Sequence, residues 1–526
     1  MMSVELTGRS IIGFGRGTGA EPAGCGVNPA DGSHLEPAYV AASDAEVARA
    51  GELAGSAFPV YAALSPRKRA DFLRAVAMRI EGLGAGLVER MTLETGLPAA
   101  RVEGERARTC GQLRMFAEVI EEGTWADVRV DTARPDRTPL PKPDVRSLLM
   151  PVGPVAVFCA GNFPLAYSVA GGDTASALAA GCPVVVNAHS GHPGTAEMVG
   201  VAVMEAARDT GMPEGVFSLV YGAGHEVGQS LVRHPAVEAV GFTGSRAGGT
   251  ALAAVAAARG VPIPVYAEMS SVNPIFILPH ALRERWGTIA TGLHASVTGG
   301  VGQFCTKPGL VFLAAGKEAD QFVAKLGSLM ATTPSCPMLN RSIAENFANK
   351  RARLGSIPTV QAVADVNEQQ AGVFLTTARA WRKNGVLHEE VFGPTALVVL
   401  CEDEADLIKS ATQLEGQLTA TLHAEPADHD GARALLTVLA RKAGRLIHNG
   451  FPTGVEVCHA MVHGGPFPAT TDGRSTSVGS AAITRWTRPV SFQNMPANLL
   501  PAELQDGNPR KLWRLVDGER TRAPRA

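Results

Sequence analysis

The sequence predicts an α/β protein with two doubly wound parallel-sheet domains. From Val152 onwards, short apolar strands alternate with helical segments, as in parallel β-α-β units with right-handed crossovers. The alternation continues beyond Glu268, which indicates a second α/β domain. The length of 526 residues also exceeds what a single hydrophobic core usually supports.

The region before these strands is predicted to be mostly helical. Its glycine-rich run, Gly13–Gly19, follows no apolar strand of adequate length, so it predicts a turn or edge structure rather than a phosphate loop. Ser43 and Ser65 are N-cap signals for the helical region that follows, and another helix is predicted at Ala99–Glu121. Asp131–Asp144, rich in Pro, Arg and Asp, predicts an extended arm or loop.

The strands and helices of the two sheets follow from apolar runs and their spacing. The first sheet is predicted to contain strands at Val155–Cys159, Pro183–Val186, Val216–Tyr221, Val237–Phe242 and Ile263–Ala267. Its helices are predicted at Leu165–Ala180, Gly194–Arg208 and Arg246–Ala258. The second sheet is predicted to contain strands at Asn273–Leu278, Leu310–Leu313, Leu397–Cys401, Leu418–His423 and Arg445–His448.

Composition and charge argue against several function classes. A net charge of -2 gives no reason to expect nucleic acid or an anionic membrane as a partner. The apolar runs are interrupted well before membrane-spanning length. The eight cysteines lie far apart without CxxC pairs, which indicates neither a disulfide framework nor a metal site. A reducing, cytoplasmic setting is therefore expected.

A cysteine in a glycine-rich loop, Gly299–Thr306, is the first candidate for chemistry. Glycines allow a sharp turn that could bring Cys305 close to a ligand, and a thiolate is a strong nucleophile. The alternative is a small buried cysteine in a tight turn. Both interpretations remain open from this loop alone.

Polar residues at strand ends are the other candidates, because ligands collect beyond the carboxyl ends of parallel strands. Asn162 follows the first strand, where it could point into a cleft or form an Asx turn. Thr243–Ser245 precedes a helix whose first turn could bind phosphate, although Ser245 could simply be an N-cap. Glu268 closes a strand and is a candidate general base. Gly222–Gly228 has one residue too many for a dinucleotide fingerprint.

Taken together, these segments resemble the aldehyde dehydrogenase superfamily over nearly the whole chain and in the family's order. The matching motifs are Asn162-Phe163-Pro164, Phe242-Thr243-Gly244-Ser245, Glu268, Gly302-Gln303-Phe304-Cys305 and Glu390-Val391-Phe392-Gly393-Pro394. Each motif is short, but five in register are a specific signal. Gln303–Thr306, Glu268–Pro274, His463–Pro466 and Pro468–Arg474 are similar to the α-ketoglutarate semialdehyde (2,5-dioxopentanoate) dehydrogenase branch.

The resemblance implies a domain organisation. Residues 1–124 and 151–267 would form the cofactor-binding domain and residues 268–474 the catalytic domain. Residues 125–150 and 475–500 would be oligomerisation arms that add strands across subunits, and residues 501–526 a C-terminal tail. A homodimer or homotetramer is the implied assembly.

The resemblance also implies hydrolytic, non-CoA-acylating oxidation of an aldehyde to a carboxylate. Cys305 would form a thiohemiacetal and then a thioester, Asn162 would stabilise the oxyanion, and Glu268 would activate water. The implied substrate is α-ketoglutarate semialdehyde. The alternatives are an NADP-dependent dehydrogenase of aliphatic (fatty) aldehydes and a degenerate, non-catalytic cofactor-binding member.

The cofactor implied by the resemblance is NADP or NAD, with NADP slightly favoured. The implied cofactor-binding residues are Cys159, Ala160, Asn187, His189, Ser190, Gly224, Phe242, Thr243, Gly244, Ser245, Met269, Glu390 and Phe392. The implied substrate residues are Phe163, Gln303 and Lys307. No metal is expected.

Three positions depart from the family's pattern. Asn187 stands where the family has a lysine that reaches the adenosine ribose, so a charged partner for a 2′-phosphate is lost. Ser190 stands where NAD-preferring relatives carry a glutamate, so a repulsion against that phosphate is lost as well. Lys307 stands in place of asparagine, where it could lower the pKa of the Cys305 thiol, receive a substrate carboxylate or point to solvent. His189 could replace the missing charge if it were protonated.

Overall fold

A computed structural model describes residues 4–222, 224–363 and 371–525 and confirms the predicted α/β fold. The described strands are β1 (Ile11–Ile12), β2 (Gly15–Arg16), β3 (Pro22–Val27), β4 (His34–Val40), β5 (Arg129–Asp131), β6 (Val145–Pro151), β7 (Val155–Phe158), β8 (Val184–Asn187), β9 (Phe217–Val220), β10 (Ala239–Thr243), β11 (Val265–Glu268), β12 (Ile275–Ile277), β13 (Leu310–Ala314), β14 (Gln361–Ala362), β15 (Gly372–Thr377), β16 (Thr395–Cys401), β17 (Gln417–His423), β18 (Ala443–His448), β19 (Thr487–Gln493), β20 (Arg514–Val516) and β21 (Glu519–Thr521).

The helices lie between these strands and before them. They are α1 (Asp44–Ala62), α2 (Pro66–Gly82), α3 (Gly84–Thr95), α4 (Ala99–Glu122), α5 (Gly172–Ala180), α6 (Pro193–Asp209), α7 (Glu226–Arg233), α8 (Arg246–Ala257), α9 (Pro279–Thr298), α10 (Lys317–Ala331), α11 (Arg341–Gly355), α12 (Ala378–Lys383), α13 (Glu404–Thr412) and α14 (His429–Leu439). Among the described residues, no helix combines the length and apolar character needed to cross a bilayer.

The first sheet has the strand order β11-β10-β7-β8-β9-β1-β2. The five strands from β11 to β9 are parallel, and their apolar residues are buried because helices cover both faces. The glycine-rich run forms the β1-β2 hairpin at one edge, which confirms the predicted edge structure. Ser43 and Ser65 cap α1 and α2 as predicted, since their hydroxyls accept hydrogen bonds from Glu46 N and Lys68 N.

The helix predicted at Leu165–Ala180 is shorter than expected, because α5 begins only at Gly172. The backbone N–H groups of Leu165 and Ala166 donate to the Glu105 carboxylate, at 2.9 and 3.0 Å, which ties this segment to α4. A Cβ at Gly171 would lie 2.5 Å from the Ala166 oxygen, so the chain makes a turn there that only glycine allows.

The second sheet has the order β14-β15-β16-β13-β12-β17-β18 and is parallel except for the edge strand β14. The five predicted strands are present. Strand β15 was not predicted, although its residues are largely buried between β14 and β16.

A third sheet has the order β19-β6-β5-β20-β21. Strands β5 and β6 come from the predicted arm of residues 125–150, and β19 comes from the arm of residues 475–500 and pairs with β6 in antiparallel register. Residues 501–526, predicted as a C-terminal tail, contribute β20 and β21 to the arm sheet.

Candidate active site

Most of the predicted cofactor residues, together with Asn162 and Glu268, lie at one edge of the first sheet. The register aligns Phe158 of β7 with Asn187 of β8 on one side and with Phe242 of β10 on the other. Thr243 in turn aligns with Glu268 at the end of β11. These strands therefore end together, and the residues that follow them face a common cleft, as expected for a parallel sheet.

The loop that carries Cys305 has an unusual backbone. Gly300, Val301 and Gly302 all have positive φ angles, of 56°, 57° and 66°. Left-handed geometry is strained for a β-branched residue such as Val301, and strain of this kind is common at functional sites. A Cβ at Gly302 would lie 2.3 Å from the carbonyl carbon of Gly393, so this glycine lets two of the sequence motifs pack backbone against backbone.

The buried side chain of Asn273 holds the loop of Cys305 in place. The Asn273 side-chain amide donates to the carbonyl oxygens of Cys305, at 2.8 Å, and Lys307, at 3.0 Å. Its own oxygen accepts from the hydroxyls of Ser271 and Thr419, both at 3.0 Å. Asn273 therefore locks the nucleophile loop to the second sheet.

Three side chains meet at the predicted nucleophile. His463 Nε2 lies 3.4 Å from Cys305 Sγ and 3.0 Å from Glu268 Oε1. The other carboxylate oxygen of Glu268 accepts a 2.7 Å hydrogen bond from the Ser477 hydroxyl. The sulfur, the imidazole nitrogen and a carboxylate oxygen all lie within 4.8 Å of one another. Such a set can move a proton from the thiol, or from a water molecule, to the carboxylate.

The surroundings of this trio set its resting protonation. Burial raises the pKa of the Cys305 thiol well above its ordinary value, the nearby Glu268 carboxylate raises it further, and Arg445 opposes the shift. Burial alone would also raise the pKa of Glu268, but His463 and the hydrogen bond from Ser477 lower it overall. The resting site thus holds a neutral thiol beside an ionised carboxylate, which is the state in which Glu268 can accept a proton.

His463 was not identified as a site residue from the sequence. It is fully buried, and its Nδ1 has no partner among the described residues. Glu268 and Cys305 can both accept a hydrogen bond from Nε2, whereas Nδ1 faces no acceptor within the part of the chain that the structure describes. We therefore place the ring proton on Nε2. The only sequence signal was the motif His463–Pro466, because 195 residues separate His463 from Glu268.

Asn162 and a group of aromatic residues lie next to the loop that carries Cys305. The Asn162 side-chain amide donates to the Gln303 carbonyl at 3.0 Å, which leaves one amide N–H for a ligand. The Phe163 ring centroid lies 5.1 Å from that of Tyr167 and 5.6 Å from that of Phe304. Phe163, predicted as a substrate residue, is thus part of an aromatic wall beside the nucleophile.

The substrate roles predicted for Gln303 and Lys307 do not agree with the structure. The Gln303 side chain donates to the Gly300 carbonyl and accepts from Leu339 N, at 3.1 and 3.0 Å, so both of its polar ends are used within the protein. Lys307 is only 2% exposed, and its ammonium donates to the carbonyls of Val391 and Thr395, each at 2.9 Å. The alternative that Lys307 points to solvent is therefore wrong as well.

Lys307 instead supports the loop that carries Glu390. Both residues line a cavity of about 20 Å³, which is large enough for a water molecule but not for a substrate. Burial lowers the pKa of Lys307 to about 8, and the Glu390 carboxylate partly opposes this shift. Burial raises the pKa of Glu390, with Lys307 opposing. Lys307 holds the Val391 carbonyl and so positions Glu390 and Phe392.

The residues after β8 include a histidine that cannot replace the missing lysine charge. His189 stacks on His192, with ring centroids 5.2 Å apart, and its Nδ1 accepts from Gly191 N. Burial lowers the pKa of His189 to about 3, and His192 contributes to the shift. His189 is therefore neutral at physiological pH. Ser190 is exposed, and the Asn187 side-chain oxygen is buried without a partner among the described residues.

The remaining cofactor candidates surround the start of α8. Ser245 is the N-cap, since its hydroxyl accepts from Gly248 N at 3.1 Å. The Phe242 ring lies over this turn, where a Cβ at Gly244 would be 2.7 Å from it. The other predicted residues stand at neighbouring strand ends, where Cys159, Ala160 and Met269 are buried, Thr243 is half-buried, and Gly224 and Gly244 are exposed.

Comparison with known proteins agrees with this geometry. Residues 24–488 match the sequence model of the Aldehyde dehydrogenase family. The chain belongs to this family. Among curated proteins, this aldehyde dehydrogenase is 50% identical to alpha-ketoglutaric semialdehyde dehydrogenase 2 of Azospirillum brasilense, over 98% of the chain and 100% of the relative. It is 45% identical to the alpha-ketoglutaric semialdehyde dehydrogenase of Acinetobacter baylyi, over 98% and 99% of the two chains.

Solved structures share the fold of this aldehyde dehydrogenase at low sequence identity. Lactaldehyde dehydrogenase from Escherichia coli superposes with a TM-score of 0.79 and 21% identity, over 92% of this chain and 98% of the other. A 1-pyrroline-5-carboxylate dehydrogenase from Thermus with bound NAD superposes with a TM-score of 0.77 and 20% identity, over 92% of both chains.

Proposed function

We propose that this aldehyde dehydrogenase oxidises α-ketoglutarate semialdehyde to α-ketoglutarate with NAD or NADP. Aldehyde oxidation follows from the family, and the cluster of Cys305, His463 and Glu268 is the observation that supports a complete hydrolytic mechanism. The choice of substrate is supported by two nearly full-length relatives, 50% and 45% identical, that carry this activity in their names.

The first step is attack by the sulfur on the aldehyde carbon. Glu268 takes the thiol proton of Cys305, and the His463 Nε2–H, which lies between carboxylate and sulfur, stabilises the thiolate that forms. The sulfur then bonds to the aldehyde carbon, and the carbonyl oxygen becomes an oxyanion. The free N–H of the Asn162 amide and the backbone N–H of Cys305 are the donors for that oxyanion, and one such donor is typically worth about 10²–10³ in rate.

The thiohemiacetal loses a hydride from its former aldehyde carbon and becomes a thioester on Cys305. The nicotinamide cofactor, when bound, supplies the hydride acceptor. Glu268 returns its proton to solvent and then takes a proton from water, so that the oxygen attacks the thioester carbon. The carbon–sulfur bond breaks, the acid leaves as its carboxylate, and Cys305 regains a proton.

The residues at the carboxyl edge of the first sheet fit a dinucleotide. The buried Asn187 oxygen has no protein partner in the described parts of the chain, and the exposed glycine-rich start of α8 leaves backbone N–H groups near it on the same edge. Asn187 and Ser190 would hold the adenosine half, Thr243 to Ser245 the phosphates, and Glu390 and Phe392 the nicotinamide half. Ser190 brings no negative charge against a 2′-phosphate, which favours NADP slightly.

Asn187→Lys is expected to tighten cofactor binding, and more for NADP than for NAD. A charge-assisted hydrogen bond contributes about 1.5–3 kcal/mol, which is roughly a ten- to hundredfold change in affinity. The neutral His189 supplies no such charge in the present chain. Titration of both cofactors against both proteins measures the effect. Equal or weaker binding in the variant would show that the pocket is organised around Asn187.

His463→Phe is expected to slow thiolate formation by about 10- to 100-fold, because a hydrogen bond to a charged group is lost. The pH dependence of Cys305 alkylation by iodoacetamide, followed on the Cys305 peptide by mass spectrometry, should shift to higher pH. His463→Gln retains an N–H donor and should restore part of the rate. An unchanged alkylation profile in His463→Phe would show that the imidazole only fills space.

We also propose a homo-oligomer assembled through the arm sheet. Strand β19 is the edge of that sheet among the described residues, and an unpaired edge strand is a template for pairing with a second copy. Sedimentation at micromolar concentration should therefore show a dimer or tetramer. A stable monomer under those conditions contradicts the proposal.

The proposed function is tested by following reduced cofactor with α-ketoglutarate semialdehyde and with aliphatic aldehydes. The expected result is a higher kcat/KM for the semialdehyde. A preference for long aliphatic aldehydes would favour the fatty aldehyde alternative. Cofactor binding without turnover of any aldehyde would instead indicate a non-catalytic member.

A further inference from the structure

Two arginines donate hydrogen bonds to the same short loop, residues 452–455. Arg108 of α4 donates to the Val455 carbonyl, and Arg445 of β18 donates to the carbonyls of Gly454, at 3.0 Å, and Pro452. Both side chains are half-buried. These contacts place two guanidinium groups at one short loop between α4 and the second sheet.

Neither guanidinium has an acidic partner among the described residues. The nearby Arg101, in contrast, pairs with Glu105 at 2.7 Å, and the similarly enclosed Arg382 pairs with Asp406 at 2.6 Å. Withdrawing a cation from water without a counter-charge is unfavourable. An anionic ligand would supply the missing counter-charge.

Both arginines lie in the neighbourhood of the reacting sulfur. Burial raises the pKa of Tyr167 and Arg108 is near enough to oppose that shift, while the Tyr167 ring lies 6.2 Å from the His463 ring, which contacts Cys305. Burial lowers the pKa of Arg445, and the Cys305 and Tyr167 side chains are near enough to oppose that shift. The unpaired positive charge therefore lies beside the catalytic centre and not on a remote surface.

We propose that Arg108 and Arg445 form an anion subsite that binds the carboxylate of the aldehyde substrate. This inference rests on the proposed function and extends it, because it assigns the residues that select aldehydes with an ω-carboxylate. Arginine suits this task, since its planar fork makes charge-assisted and bidentate hydrogen bonds with carboxylates. The aldehyde end of the same molecule is then directed to Cys305.

The subsite is tested with pairs of aldehydes that have equal carbon number and different charge. Glutarate semialdehyde and α-ketoglutarate semialdehyde are compared with pentanal in the intact enzyme. In Arg108→Met and Arg445→Met, kcat/KM for the anionic aldehydes should fall about 10- to 100-fold, chiefly through KM. The value for pentanal should fall much less, because a neutral aldehyde loses no ionic partner in either variant. Lysine at either position should restore part of the preference.

The matched control is Arg382→Met, which removes an enclosed arginine of α12 that is already paired with an acidic residue, Asp406. This variant should leave unchanged the ratio of kcat/KM for the anionic aldehydes to kcat/KM for pentanal, even if it lowers the melting temperature. An equal fall for both kinds of aldehyde in the Arg108 and Arg445 variants would overturn the subsite and show that the arginines only hold the loop.

The test separates the subsite from the proposed function. If α-ketoglutarate semialdehyde is preferred but the arginine variants keep that preference, the subsite is wrong and the function stands. If glutarate semialdehyde is the better substrate and the arginine variants lose it selectively, the named substrate is wrong and the subsite stands. A wild-type enzyme with no preference for anionic aldehydes would overturn both.

Discussion

Cys305→Ala is expected to abolish aldehyde oxidation while cofactor binding stays nearly intact. The sulfur is the strongest nucleophile of the cluster once it is deprotonated, whereas the cofactor candidates lie mainly on strand ends of the first sheet. Loss of a catalytic nucleophile reduces rates on the order of 10⁶-fold in well-studied enzymes. Steady-state assays and cofactor titration measure the two effects separately.

Cys25→Ala provides the control for this variant, because Cys25 lies on β3, far along the chain from the catalytic cluster. It should retain wild-type turnover. Comparable activity in Cys305→Ala and the wild type would remove Cys305 from the mechanism, whatever the other cysteines do.

Glu268→Gln is expected to uncouple acylation from hydrolysis. Glutamine keeps the shape of the side chain but cannot accept a proton, so thioester release should slow by about 10²–10⁴, the range typical of a general base. A single turnover of reduced cofactor should still appear as a burst, formed more slowly than in the wild type because solvent must take the thiol proton. Stopped-flow absorbance at several enzyme concentrations resolves the burst from the steady state.

The size of the burst distinguishes the two roles of Glu268. A burst equal to the active-site concentration followed by slow turnover indicates that Glu268 serves mainly hydrolysis. Loss of the burst together with turnover indicates that no other group can replace Glu268 as the base for the Cys305 thiol. Turnover like that of the wild type would contradict the assignment altogether.

Much of the fold and part of the site could be predicted because their signals are local. A buried parallel strand is a short apolar run, and its end marks the edge where ligands bind, which is how Asn162, Glu268 and the Thr243 loop were placed. The caps at Ser43 and Ser65 are equally local. The start of α5 was wrong because the apolar pattern does not report the turn at Gly171, where a Cβ would lie 2.5 Å from the Ala166 oxygen.

The parts of the site that were missed depend on contacts between distant segments. Glu268 contacts His463, which is 195 residues away in the sequence, and accepts a hydrogen bond from Ser477, which is 209 residues away. Lys307 stands two residues from Cys305, yet its ammonium turns to carbonyls 84 and 88 residues away. No periodicity or spacing in the sequence reports where a side chain points after folding, so these roles required the structure.

The most direct test of the account is the chemical state of Cys305 during turnover. Glu268→Gln is mixed with α-ketoglutarate semialdehyde and cofactor, quenched in acid and digested for mass spectrometry. The account predicts an α-ketoglutaryl thioester on the Cys305 peptide, which disappears when hydroxylamine is added. An unmodified Cys305 peptide, or the acyl group on any other cysteine, while reduced cofactor accumulates, would contradict the central claim that Cys305 is the nucleophile of this aldehyde dehydrogenase.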